Sequence, residues 1–130
     1  MEELLKNLSK LAQNYPKLKL LILFGSQAKG LQHPNSDWDF GYLAESDFDY
    51  LSLYSQLTLT LETDKVDLVD LKRASGLLRY RAVSDAYVIY ECQKGVFEKF
   101  WFEVVDFWCE NSSLFRKEYE TILKGLNHGN

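Results

Sequence analysis

The stretch LFGSQAKGLQHPNSDWDF, residues 23–40, decides how the rest of the chain is read. An apolar run ends in a Gly-Ser step, a polar segment follows with Pro34 and Asn35 in it, and the stretch closes on Asp37 and Asp39, one residue apart. Along a strand, residues two apart project to the same face, so Asp37 and Asp39 point together while Trp38 and Phe40 point into apolar packing. Two carboxylates about 4 Å apart repel by roughly 4 kcal/mol at an effective dielectric near 20. Such a pair needs a shared proton or a cation between its members. Hard oxygen ligands beside phosphate suit Mg²⁺, which takes a few carboxylates plus substrate oxygens. Gly25 lets the backbone come close to a ligand, and the amides that follow at Ser26 can cradle phosphate.

Working outward, residues 18–24 (LKLLILF) read as a central strand: lysines alternate at its start, and its end is apolar on both faces. Before it, Leu4, Leu5, Leu8, Leu11 and Ala12 recur at helical spacing, and Tyr15-Pro16 closes that helix. Residues 25–30 form a turn into a short helix, 31–36 a loop, and 37–43 a second strand. Ser46 precedes a helix with Tyr50, Leu53, Tyr54, Leu57 and Leu61 on one face, and Asp49 stands three residues on, as in a capping box. The run KVDLVDL, residues 65–71, is a third strand. A short helix over 74–83, a fourth strand over 86–91 and a long helical region over 96–123, broken near 111–113, complete the chain, with 127–130 frayed. The expected fold is α/β (α+β): a small mixed sheet of about four strands flanked by helices, with a long C-terminal helical region.

The 130 residues, 46% of them hydrophobic and 26% charged, fit one domain over 1–130 and exclude a disordered chain. A net charge of −4 argues against general affinity for nucleic-acid phosphates, so no direct nucleic-acid binding is expected. The longest apolar run, residues 20–24, is far too short to cross a bilayer, and the N-terminus has no signal-peptide pattern. Cys92 and Cys109 lack ligand spacing and read as reduced, buried thiols of a cytoplasmic protein. An aromatic content of 15% is high for the size and points to a surface that needs a partner.

The third strand brings Asp67 and Asp70. Three residues apart, they face opposite sides, so only one can join Asp37 and Asp39. Asp67 lies in mid-strand and is favoured; Asp70, near the end, is its rival and could cap the next helix. Asp37, Asp39 and Asp67 converging would make a two-metal site for phosphoryl or nucleotidyl transfer.

The pattern GS-x10-DxD, carried by Gly25, Ser26, Asp37 and Asp39, resembles the signature of the DNA polymerase β-type nucleotidyltransferase superfamily. GSQAKG beside that family's GSxARG, the Ser36-Asp37 step and the later VDLVDL look like its minimal members, above all the MntA-type antitoxins paired with HEPN toxins. The resemblance covers about residues 18–90. Lys29 stands where the family often has arginine, which keeps the charge but loses the bidentate geometry. The resemblance implies the nucleotidyltransferase fold and Mg²⁺-dependent transfer of AMP from ATP, with two ions. Asp37, Asp39 and Asp67 would be the catalytic and metal-holding acids; Gly25, Ser26 and Lys29 would bind the nucleotide. The implied acceptor is a tyrosine hydroxyl of a cognate HEPN ribonuclease toxin, which the modification silences.

Plainer readings stand beside these. A bare DxD can be an exposed strand, Gly25 a turn glycine, Ser26 a helix cap and Lys29 a solvated charge. Ser36 reads as a turn residue, and His33 and His128 as solvated. Lys72, Arg73, Arg79 and Arg81 read as a solvated helix face, or else as a docking patch. Phe97, Phe100, Trp101, Val104, Phe107 and Trp108 form a helical stripe that packs on the sheet, with Phe102 and Phe115 off it and open to a partner. Two rival functions remain: nucleotide transfer to a small-molecule hydroxyl such as an aminoglycoside, or a non-catalytic antitoxin that acts by occlusion.

Overall fold

The computed structural model describes residues 2–28 and 37–128. Its elements are α1 (Glu2–Ala12), β1 (Leu18–Phe24), α2 (Gly25–Ala28), β2 (Trp38–Ala44), α3 (Tyr50–Leu61), β3 (Val66–Asp70), α4 (Gly76–Ser84), β4 (Tyr87–Glu91) and α5 (Val96–His128). The strands form one mixed sheet in the order β3-β2-β1-β4. β1 runs antiparallel to both neighbours, and β2 runs parallel to β3. Parallel neighbours need a crossover, and α3 supplies it.

β1 is the spine of the core. Every residue in it except Lys19 is buried, because helices cover both faces of the sheet. Leu21 and Leu23 face one way, into a cluster with Phe40, Leu53, Leu57, Leu68 and Leu8, which α1 and α3 close. Leu20, Ile22 and Phe24 face the other way, onto Leu71, Ala82, Val83, Phe100 and Val104, under α4 and α5. Leu18 joins the first cluster out of alternation because the β1–β2 register shifts between Leu18 and Leu20. Gly41 lets Leu71 lie flat on β2: a Cβ there would come within 2.8 Å of a Leu71 methyl.

The expected strands are present, with their ends moved by a residue or so. β2 begins at Trp38, so Asp37 lies just ahead of the strand. Three local expectations are corrected. Asp49, not Ser46, caps α3: its carboxylate accepts the Ser52 amide at 3.1 Å, and the chain through Glu45–Phe48 turns before the helix starts. α5 is one unbroken helix through residues 111–113; Asn111 donates its side-chain amide to the Phe107 carbonyl four residues back, which is compatible with helix. It also runs to His128, through the start of the segment expected to fray. Cys92 and Cys109 are exposed, the first just past the end of β4 and the second on α5.

The aromatic stripe of α5 is narrower than its periodicity implies. Phe100 and Val104 are buried and Trp108 stacks on Tyr80 at 4.2 Å, but Trp101 and Phe107 are exposed, as is Phe102. The helix meets the sheet with its first turns and then leans on α4, so among the described residues one side of the stripe stays exposed. Among the described residues, no helix is long and apolar enough to cross a membrane.

Leu53 is fully buried between α3 and the sheet. Leu53→Ala is expected to cost about 3 kcal/mol in urea unfolding, within the usual range of about 2–5 for such truncations. A loss below about 1 kcal/mol would mean that α3 does not close this face.

Candidate active site

The end of β1 and the beginnings of β2 and β3 lie together at one edge of the sheet. Phe24 pairs with Asp39, and Asp39 pairs in parallel register with Asp67. Residues opposite each other in a parallel ladder share a face, so the two carboxylates project side by side toward the α4 side. Trp38 and Phe40 point the other way, their rings stacked 6.3 Å apart over the first cluster. Asp37 is exposed, and the Trp38 amide behind it donates to the Lys65 carbonyl at 2.9 Å, tying the entry of β2 to the start of β3.

The electrostatics record the crowding. The Asp39 carboxyl is pushed above the ordinary carboxylate range, first by partial burial, then by the charges of Asp67 and Asp37. Arg81, in the last turn of α4, opposes that rise.

Gly25 completes this edge. Its φ of +75° is one that side-chain-bearing residues avoid, and a Cβ on it would sit 2.5 Å from Asp39 Oδ2. The glycine is required because the carboxylate already fills that space. Half-buried Ser26 and the buried Gln27 follow in α2.

Asp70 has other work. It faces the opposite side, in register with Tyr42; its carboxylate accepts the Lys72 amide at 3.0 Å and lies 3.8 Å from Arg73. It closes the turn after β3 rather than capping α4, whose cap is Ser75. Of the two acids of β3, Asp67 is the one beside Asp39.

Lys29, His33 and Ser36 lie outside the described residues, as do the side chains of Phe115 and His128. Of the basic residues after β3, Arg79 turns back to donate to the carbonyls of Leu71 and Lys72, which is a structural task. Arg81 is the residue that reading the sequence left on a solvated face and that the fold carries to the acids. Its signal was available only as position in the last turn before β4.

As a metal centre the group is open. Among the described residues, no three acidic, histidine or cysteine side chains are gathered closely enough to grip an ion. The chemistry of the donors nevertheless fits a hard divalent cation: carboxylate oxygens side by side, mutually repelling, and relieved by positive charge.

A family model described as "Polymerase beta, Nucleotidyltransferase" matches residues 6–95. The protein adenylyltransferase MntA of Shewanella oneidensis is 40% identical over 87 residues, and that of Aphanizomenon flos-aquae 35% identical over 105. The matches cover 65% and 70% of this chain, and span 62% and 69% of the length of those relatives. Among solved structures, a chain of a toxin–antitoxin complex with AMP-PNP superposes at a TM-score of 0.73 with 30% identity, covering 91% of this chain and 96% of that one. A chain of the tri-AMPylated Shewanella oneidensis HEPN toxin in complex with the MNT antitoxin superposes at 0.69 with 25% identity, covering 95% and 99%.

Two variants probe the edge. Gly25→Ala is expected to destabilise the fold by about 1–2 kcal/mol from backbone strain alone, with the Asp39 carboxylate displaced as well. A thermal melt matching the parent's would show that the close approach is not obligatory. For Asp39→Asn the sign follows from the raised pKa: an acid held above its ordinary value weakens the fold while ionised, and the cost fades as pH falls through the folded value. Metal-free Asp39→Asn should therefore melt above the parent at neutral pH, and the gap should close as pH approaches the ordinary value of 3.8. Equal melting temperatures at neutral pH would remove the repulsion argument.

Proposed function

Because this chain belongs to the polymerase β nucleotidyltransferase family, among its MntA-like members, we propose that it transfers AMP from ATP to a tyrosine hydroxyl of a HEPN-type toxin and thereby serves as the antitoxin of the pair. The observation that carries the reading is the Gly25 backbone pressed against the Asp39 carboxylate, with Asp67 in register beside it. That arrangement supports reading the turn as a phosphate seat and the acid as a divalent-ion ligand. The whole chain, 1–130, works as one minimal domain in the cytoplasm.

In this reading Asp37, Asp39 and Asp67 hold Mg²⁺, two ions in the full site. A divalent ion held by these acids would supply positive charge to offset the carboxylates and the triphosphate and to lower the pKa of the attacking hydroxyl. Gly25 and Ser26 seat the triphosphate, with Lys29 as a further phosphate contact. The tyrosine oxygen attacks the α-phosphorus, the bond to the bridging oxygen breaks, and pyrophosphate leaves with the electron pair. The phenolic proton passes to the Asp67 carboxylate, which is exposed on the edge strand β3. Among the described residues helices cover both faces of the sheet and leave this edge open, which suits a protein acceptor.

The test uses ATP labelled on the α-phosphate, Mg²⁺ and the HEPN protein encoded beside this chain. Label is expected on a toxin tyrosine with the parent, and only background with Asp37→Asn and Asp39→Asn combined. Undiminished transfer by the double variant would refute the acid site. Neutralisation of the toxin by that variant, without label, would favour occlusion, and label on an aminoglycoside with the toxin left bare would favour a small-molecule acceptor.

A further inference from the structure

Sequence pattern groups Arg79 and Arg81 in one basic cluster, but two residues apart on a helix they project from different sides of α4, and only Arg79 turns back to the start of the helix. α4 starts just after β3, at the edge remote from Asp39, where Arg79 Nε donates to the Leu71 carbonyl at 2.7 Å. The helix then crosses the sheet, with Ala82 and Val83 buried against Ile22 and Phe24, and hands the chain to β4. The first residue of β4, Tyr87, pairs with Leu23. The last turn of α4 therefore lies at the edge where Phe24 pairs with Asp39, on the face that Asp39 and Asp67 share. Arg81 sits in that turn, exposed.

An exposed guanidinium beside carboxylates that repel one another is placed for a multiply charged anion that arrives with its own cations. Arginine presents paired donors that match phosphate oxygens, whereas the acids cannot contact phosphate directly. Arg73, the other arginine near β3, lies beside Asp70 on the far side. We propose that Arg81 binds the β- and γ-phosphates of the nucleotide and holds the pyrophosphate as it leaves. The assignment rests on the nucleotidyl-transfer reading above. Arg81 takes up no proton: it stabilises the charge that accumulates on the departing phosphates while the new bond forms at the α-phosphorus.

The experiment measures the affinity of the full chain for a non-hydrolysable ATP analogue with Mg²⁺ by calorimetry, next to nucleotide-free melting. Arg81→Ala should weaken binding at least about tenfold, the scale of one charge-assisted contact. Its nucleotide-free melting temperature should stay at the parent's value, and Arg81→Lys should recover part of the affinity. Parent-like affinity of Arg81→Ala overturns the proposal. So does a drop in affinity matched by a fall in the nucleotide-free melting temperature and shared in full by Arg81→Lys, since that describes a structural role. Parent protein that binds the analogue but labels no toxin sinks the antitoxin reading and leaves the phosphate contact standing. Parent protein that takes up no nucleotide removes both.

Discussion

β1 is buried on both faces, and the rest of the molecule is arranged around that constraint. A seven-residue apolar strand must lie in the middle of a sheet and be covered by helices above and below. Each neighbour follows. β2 pairs on one side and β4 on the other, α1 and α3 close one surface, and α4 with the first turns of α5 closes the second. The strand can stop only where its backbone escapes, and it stops at Gly25. Side chains at the end of so buried a strand are held by packing on both faces, which makes their placement precise.

That edge works against the stability of the fold. Asp39 and Asp67 stand opposite each other in a parallel ladder, with Asp37 near them, and the charge of each raises the cost of ionising Asp39. A chain selected for stability alone would place a threonine or valine at one of these positions. Held in this arrangement, the acids repel one another, and a cation placed between them would relieve that repulsion. The Gly25 turn shows the same tension: a backbone conformation unsuited to other residues, kept because a carboxylate fills the space where a side chain would be.

α5 sets a different problem. Its first turns bury Phe100 and Val104, yet Trp101, Phe102 and Phe107 remain exposed along a helix that continues for 33 residues in all. An amphipathic stripe states that a face wants cover, without stating how much of the chain's own surface lies within reach. The sheet has four strands, β4 is its edge, and the helix leaves it after a few turns to lean on α4.

Local pattern was enough to determine the strands, the helices that cross between them and the acidic face of β2, because side-chain alternation and glycine punctuation are written in consecutive residues. It also tied Gly25, Ser26, Asp37 and Asp39 together, since their spacing is itself the signal. Everything that depends on which elements become neighbours was decided in three dimensions. The β2–β3 register set Asp67 rather than Asp70 beside Asp39, the packing of α4 turned Arg79 back onto the Leu71 carbonyl, and turn geometry gave the cap of α3 to Asp49. Cys92 and Cys109, apolar enough to be read as core, came out exposed, although the Cys92 backbone is tied to Lys19 of β1. The physical reason is common to all four: distance along the chain limits which groups can be close, but only packing against a second surface selects which of them are.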